Sequence, residues 1–493
     1  MTFEEYRQYD AVGLAQLVQK GAVQPIELIE IAIARAEAVN PAIHAISYEL
    51  YDLARTMAQA VDAEAPFAGV PFLIKELGIH VKDTPMRRGS AGYRNYISDA
   101  DSVLTRKFRS SGLTFLGKSN TPEFGLTPYT EPQAYGTTRN PWNTEHSAGG
   151  SSGGSGAGVA AGIVPIATAS DGGGSIRIPA SCNGLFGIKP SRGRLSLGMQ
   201  AGEWWSGAAV EGCVSRSVRD SAVFLDVMSG NAPGELYLTP PQQRPYAQEV
   251  ATPPGALRIG FSNKHTLGHT THPECLRAME QTVKLLETLG HRVEEVNLPY
   301  EEKDLTETFL MMVVGECAAD LEELRRFLGR KVRLSDVETT TYSLHLLGKA
   351  FKAKDFAWQK RNWNDLARRM GAFHQSWDLL LTPTVSLPPF KIGALQPAGS
   401  ELSALRIINT FGLSSLLKQM IAPLADKTFS YIPHTAIANM TGQPSMSVPL
   451  HWTDDQLPVG VMFTAALGRE DVLFRLAGQL EEAQPWFDKT PPL

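Results

Sequence analysis

The chain has 493 residues, 43% of them hydrophobic and 20% charged, with a formal net charge of −5. That is apolar material for a large core in one sizeable α/β domain or two to three smaller ones, and the slight acidic balance leaves no basic footprint for nucleic acid. The first residues lack the basic and apolar regions of a secretory signal, no apolar run is long enough to span a bilayer, and the four cysteines (Cys182, Cys213, Cys275, Cys317) show no CxxC spacing. These features predict a cytoplasmic protein with reduced thiols.

Residues 10–60 read as two or three helices. Leu14, Leu17 and Val18 recur at helical spacing, and Pro25 opens a further helix with Leu28, Ile29, Ala32 and Ile33 on one face. From Pro66 the texture changes to short β-rich runs at 69–75, 113–118 and 163–170, with helical patterns between them. That alternation favours an α/β sheet that is substantially parallel. Lys75 ends the first run and is followed by Glu76. A lysine there points into water, pairs with a carboxylate, or is held neutral by desolvation.

Residues 112–119 fit the GxxxxGK[ST] phosphate-loop pattern, but the middle residues are Leu-Thr-Phe-Leu, which read as a buried strand rather than a loop that wraps phosphate. Residues 149–153 fit the GxSxG elbow, but the polar NTEHSA before them makes a poor strand. Two glycine-rich stretches at 149–156 and 171–177 carry most of the chemical signal. In each, side chains are stripped away around a serine, so that backbone N–H groups can approach a reacting atom. The first runs directly into AGVAAGIVPIATAS, which a flexible linker would not need, and its small residues suit a helix packed against neighbouring backbone. In the second, Ser175 precedes Ile176-Arg177-Ile178-Pro179, a first helical turn whose free N–H groups and dipole suit an oxyanion. Ser175 alone could be an N-cap; three preceding glycines are more than a cap requires. This reads as a serine nucleophile with a backbone oxyanion hole, and no histidine sits where it could be the base.

Further on, LRIGF reads as a strand, residues 271–274 as a capped helix start, Gly290 as its stop and HRVEEV as the next strand. His265, His269 and His272 cluster like metal ligands but have no HEXXH placing, and read as a solvated loop. Residues 304–375 look helical, 377–384 return to strand, 386–400 form a Pro- and Gly-rich loop, and the apolar 402–430 reads as helices or a cover near a pocket. No repeat or long linker divides the chain, so a single domain over 1–493 is expected.

With these residues on the page, the chain resembles the amidase signature family of serine hydrolases. The matching stretches are GVPFLIKE (69–76), LGKSNTPEFG (116–125), RNPWN (139–143), GGSSGGSGAGVAAG (149–162), 170–196 and SRSVRD (215–220), with weaker echoes at 379–384, 439–449 and 457–473. They run across almost the whole chain in the family's order. The resemblance implies a single α/β domain with a twisted mixed sheet of about eleven strands flanked by helices. Within it, 1–65 would be N-terminal helices, 66–230 the signature core and 300–435 a divergent pocket region. It implies a Ser–cisSer–Lys triad in which Ser175 is the nucleophile, Ser151 (its peptide bond with Gly150 cis) the bridge and Lys75 the base. The backbone of Gly172, Gly173, Gly174 and Ser175 would form the oxyanion hole, with Ser152, Asp171 and Arg177 in support.

For that chemistry Lys75 must be neutral near pH 7, far below its ordinary pKa of about 10.4, so an ion pair with Glu76 would defeat it. The chain departs from the family in having Lys75-Glu76 where Lys-Asp is common, and Gly172 where Thr or Ile is common, which leaves the oxyanion loop more flexible. Ile178 stands where amidotransferase A subunits carry Gln, which counts against a glutaminase subunit. The TEPQAYGTTRNPWN and GREDVL stretches look most like the branch of 6-aminohexanoate cyclic-dimer hydrolases and general amidases. The implied activity is hydrolysis of small to medium acyl or aryl amides, with carbamates, esters and nylon-type oligoamides as further candidates, by a cytoplasmic enzyme that needs no cofactor or metal. No nucleic-acid or membrane partner is implied, and the oligomeric state is open, a homodimer included. Cys317, Trp358, Phe411 and Phe429 either line a pocket or are simply core, and Cys317 and Phe411 are taken forward as pocket candidates. The alternatives are an amidotransferase A-type glutaminase subunit and a catalytically silent binding protein.

Overall fold

Short runs of β-branched and aromatic residues build the frame of the molecule. The computed structural model describes residues 1–198 and 202–493. In chain order its strands are β1 (Ile46–Glu49), β2 (Pro71–Lys75), β3 (Thr114–Ser119), β4 (Arg139–Asn140), β5 (Asn143–Ser147), β6 (Ile166–Asp171), β7 (Phe186–Lys189), β8 (Val210–Ser215), β9 (Arg258–Phe261), β10 (Arg292–Glu295), β11 (Leu379–Pro383), β12 (Ser445–Trp452) and β13 (Pro458–Ala465). β4 and β5 make a separate ribbon; the other eleven form one sheet in the order β1-β3-β2-β6-β8-β7-β12-β13-β11-β9-β10.

Every residue of β2, β3, β6, β7, β8, β11 and β13 is buried, because helices cover both faces of the sheet. The edge strand β10 carries Arg292, Glu294 and Glu295 and is largely exposed, a charged edge that discourages further pairing. Parallel pairing is confined to two wings, β3-β2-β6 and β11-β9-β10. The centre, from β6 through β8, β7, β12 and β13 to β11, is antiparallel. The substantially parallel sheet expected from the strand–helix alternation is therefore corrected to a mixed one. The alternation persists only where a crossover helix joins neighbouring strands. The result is a single α/β domain.

Helix Pro25–Ile43 starts with Pro25 in its first turn and buries Leu28, Ile29, Ala32 and Ile33. Helix Pro273–Thr288 is capped by His272, and Gly290 turns the chain with φ 88°. Residues 399–411 and 414–431 are helices. No helix among the described residues is long and apolar enough to cross a membrane. The four cysteines are free and buried.

Because β2 and β6 are parallel neighbours, their carboxyl ends, Lys75 and Asp171, lie side by side. This is the end of an α/β sheet where ligands collect. The short helix Gly153–Ala160 reaches the same point from behind. A side chain at Gly154 would collide with the Asn120 amide and the Ala45 carbonyl, and one at Gly158 with Leu73. Only a helix of small residues packs this closely on the sheet.

Candidate active site

Lys75 is completely buried, with its backbone N–H donating to Thr168 Oγ1 at 2.7 Å. Its Nζ lies 2.7 Å from Ser151 Oγ and 2.8 Å from Ser170 Oγ. Thr168 and Ser170 alternate along β6 and so share one face of the sheet. Among the described residues no carboxylate pairs with the amine. Glu76 instead faces Arg87, whose Nε donates to it at 2.5 Å, and accepts from Ser47 Oγ at 2.6 Å. Burial pulls the Lys75 pKa down to about 7 against the opposing fields of Glu211 and Asp171. Glu211 sits on β8 directly opposite Ser170 and is itself pushed up to about 8 by burial, with Lys75 opposing.

Ser151 is 2% exposed and follows a cis peptide bond with Gly150. Thr130 Oγ1 donates to Gly149 O at 2.9 Å and braces the turn. Ser152 Oγ lies 3.3 Å from both the N–H and the carbonyl oxygen of Ser170, linking this loop to β6.

The second glycine loop is built around the Asp171 carboxylate. It accepts from Gly174 N–H at 2.7 Å, Ile176 N–H at 3.2 Å and the Arg177 guanidinium at 2.9 Å through both oxygens. Burial alone would raise the Asp171 carboxyl; Arg177 outweighs it, and with Lys189 and Asn439 holds it at about 2. Gly174 has φ +129°, a conformation only glycine adopts readily. A side chain on Gly172 would meet the Trp205 ring 2.9 Å away. That glycine makes room for an aromatic wall, which the sequence reading, concerned with loop flexibility, did not foresee.

Of the four N–H groups expected to line an oxyanion hole, that of Gly174 is already committed to Asp171. Those of Gly172, Gly173 and Ser175 have no partner among the described residues. Ser175 is half-buried, its hydroxyl is likewise without a partner among the described residues, and it lies where two cavities meet. The larger, of about 160 Å³, is walled by Gly173, Ile178, Phe309, Val313, Phe429 and Ile432. The smaller, of about 60 Å³, contains Ser151, Ser170, Gly172 and Trp205.

Helix Thr435–Thr441 closes the site from the far end of the chain. Asn439 Oδ1 accepts from Arg177 at 2.8 Å, and its Nδ2 donates to the Asp171 carboxylate at 2.8 Å and the Asp171 carbonyl at 2.7 Å. Thr435 Oγ1 donates to Gly173 O at 2.6 Å. Neither was singled out from the sequence. The available signal was indirect: a buried Asp171–Arg177 pair leaves lone pairs and N–H groups that another polar side chain must satisfy.

Two pocket candidates are not brought to the cavity. Cys317 is buried and packs with Tyr93, Phe124 and Leu321 in a separate cluster. Phe411 ends helix Gly399–Phe411 and is 73% exposed. Trp358 is exposed as well, whereas Phe429 does line the larger cavity.

The other motifs resolve into structure. Residues 114–119 of the phosphate-loop pattern are strand β3. The strand before the GxSxG pattern, β5, pairs with β4 and bridges to Lys391 through His146, apart from the main sheet. The histidine cluster lies on the loop expected, with His269 and His272 exposed and only His265 buried. His265 is 4% exposed and bonded to Ser430 O at 2.8 Å, His269 pairs with Asp426, and His272 caps a helix. Among the described residues no group of three or more His, Cys, Asp or Glu could hold a metal.

A family model described as Amidase matches residues 27–474. The chain is 38% identical to the 6-aminohexanoate-cyclic-dimer hydrolase of Paenarthrobacter ureafaciens, over 98% of this chain and 96% of that protein. It is 38% identical to a putative amidase, AmiC, of Mycobacterium bovis, over 97% and 95% of the two chains. A solved structure of 6-aminohexanoate cyclic dimer hydrolase complexed with substrate superposes with a TM-score of 0.89 at 36% identity, covering 99% of each chain.

Proposed function

The chain belongs to the amidase signature family, and from that premise we propose that it is a non-peptide amidohydrolase working through an acyl-Ser175 intermediate. Neutral Lys75 takes the proton of Ser151, whose oxygen takes that of Ser175 as the Ser175 oxygen attacks the amide carbonyl. The N–H groups of Gly172, Gly173 and Ser175 are free to stabilise the oxyanion, each such donor being worth about 2.7–4 kcal/mol. The proton returns through Ser151 to the leaving nitrogen, the C–N bond breaks, and the amine departs. Water then attacks the acyl-serine; its proton follows the same path, and the carboxylic acid is released. Asp171, Arg177 and Ser152 act as positioning residues.

The observation that carries this reading is the buried Lys75 amine, 2.7 Å from Ser151 Oγ with Glu76 turned away to Arg87. An amine without a carboxylate partner can be neutral near pH 7. The apolar wall of the larger cavity suits an alkyl or aryl acyl group, and the name of a relative adds the 6-aminohexanoate cyclic dimer as a first substrate to try. Neither metal nor cofactor enters the scheme, and the enzyme would act in the cytoplasm.

The test is hydrolysis of alkyl amides, anilides and 6-aminohexanoate oligomers with EDTA present throughout, by the intact chain and by Ser175→Ala. Turnover of at least one amide, reduced by about 10³-fold or more in the variant, is expected. Equal rates for the two proteins would remove Ser175 as nucleophile. Activity that appears only when EDTA is left out would remove the metal-free scheme.

A further inference from the structure

The two cavities that meet at Ser175 are chemically unlike, and the proton relay proposed above says which half of a substrate each must take. Ser151 borders the smaller cavity and not the larger. On that reading the leaving nitrogen takes its proton from Ser151. The nitrogen and everything attached to it therefore face the smaller cavity, while the acyl group lies against Ile178, Phe309 and Phe429.

The smaller cavity begins apolar, with Trp204 and Trp205, and ends in charge, with Arg88, Glu316 and Asp320. The Arg88 guanidinium holds both oxygens of Glu323 through its Nη atoms at 2.8 and 3.0 Å, while its Nε is buried without a partner among the described residues. Glu316 and Asp320 are one turn apart on helix Leu310–Leu328, so they share a face. Glu316 accepts a hydrogen bond from Ser206 Oγ at 2.6 Å. The lysine nearest to it, Lys360, donates to Ser206 O and lies over the Trp363 ring instead. Asp320 has no hydrogen-bond or ion-pair partner among the described residues. Among the described residues neither Glu316 nor Asp320 makes an ion pair, so two carboxylates face the space beside the reacting serine, next to indole rings that also favour a cation.

We propose that this cavity is the leaving-amine subsite and that Asp320, assisted by Glu316, selects short amines carrying a second, protonated nitrogen. An ammonium group there would supply the missing countercharge. It would also relieve Asp320, whose carboxyl is held up at about 7 by burial, against the field of Arg88 and with that of Glu323 and Glu316.

The experiment compares N-(4-aminobutyl)hexanamide with N-pentylhexanamide, which differ only in an ammonium group for a methyl, on the intact chain, Asp320→Asn and Asp320→Asn/Glu316→Gln. The readout is the ratio of the two kcat/KM values within one preparation, which cancels any loss of folded enzyme. A ratio of about tenfold or more for the intact chain, falling to within about threefold of unity in the double variant, is expected. With p-nitrophenyl hexanoate as acyl donor, 1,4-diaminobutane should also intercept the acyl-enzyme at lower concentration than pentylamine, and that advantage should disappear in the variants. Turnover without amine preference, or a preference that survives in the double variant, overturns this inference and leaves the acyl-serine reading standing. Failure of the intact chain to act on either amide or on the ester overturns both.

Discussion

Lys75 is the residue on which the proposed chemistry turns, and its environment makes two opposed demands. Catalysis needs the free amine, so kcat/KM is expected to rise with pH through about 7, the value to which burial brings Lys75, and to level off above it. A rate that is flat between pH 6 and 8 would remove Lys75 as base. Stability carries the same signature. Between the folded value near 7 and the ordinary lysine value near 10.4, the unfolded chain binds a proton that the folded chain does not, so stability increases with pH across that window. Below it the full cost of burying a charged amine applies. Lys75→Met is therefore expected to abolish turnover and yet raise the melting temperature by about 2–4 °C at pH 6–7, an advantage that shrinks towards pH 10. A methionine variant that melts lower than the parent at pH 6 would show that the bonds to Ser151 and Ser170 outweigh desolvation. Lys75 was legible as a candidate because it ends an apolar run; which of its fates it meets was not. That depends on where Glu76 turns, and the Arg87 that captures it belongs to a loop rather than to the strand.

At the level of elements, the site is a loop pinned between a strand end and a distant helix. Asp171 gathers the amides of Gly174 and Ile176 and the Arg177 guanidinium, and Asn439 from helix Thr435–Thr441 completes the set. Replacing Asn439 with Ala leaves a buried carboxylate and guanidinium each short of a partner. We expect a stability loss of about 2–3 kcal/mol and a fall of about tenfold or more in kcat with a smaller change in KM, because the N–H groups of the loop are no longer held for the transition state. Denaturant melts and initial rates on one amide check both. An unchanged kcat would confine Asn439 to a structural role. The polar alternation Thr168, Ser170 within an otherwise apolar strand is visible in the sequence and corresponds to the face that meets Lys75. Asn439 lies 262 residues from Arg177, and nothing local to it announces what it bonds. Local pattern reveals which faces are polar; only the fold decides which polar faces meet.

The whole molecule explains why strands were easier to read than the pocket. Continuous apolar runs mark strands wherever they lie, so β2, β3, β6, β9 and β11 fall within a residue or three of the predicted runs, and the family resemblance carries the mixed eleven-stranded sheet. The cavity wall is drawn from segments as far apart as Gly125 and Ile432. Cys317 packs into a separate cluster and Phe411 lies in solvent, and periodicity alone does not say which apolar residues reach the cavity. The sheet order also has a consequence for folding. In the sheet the two parallel wings, one carrying Lys75 and Asp171 and the other ending in β10, are joined through β8, β7, β12 and β13, and the last two of these arrive after residue 444. Without them β7 and β11 each lose a central antiparallel neighbour, and two rows of backbone donors and acceptors are left unpaired beside an apolar core. A chain ending at residue 442 keeps every residue of the proposed triad and oxyanion loop, as well as Asn439. It is nevertheless expected to aggregate or to remain expanded, with no cooperative thermal transition by far-ultraviolet circular dichroism and no hydrolysis of any amide. A truncated chain that elutes as a monomer and melts cooperatively would mean that the wing holding Lys75 folds on its own, and that the joining hairpin serves only to dock the second wing against it.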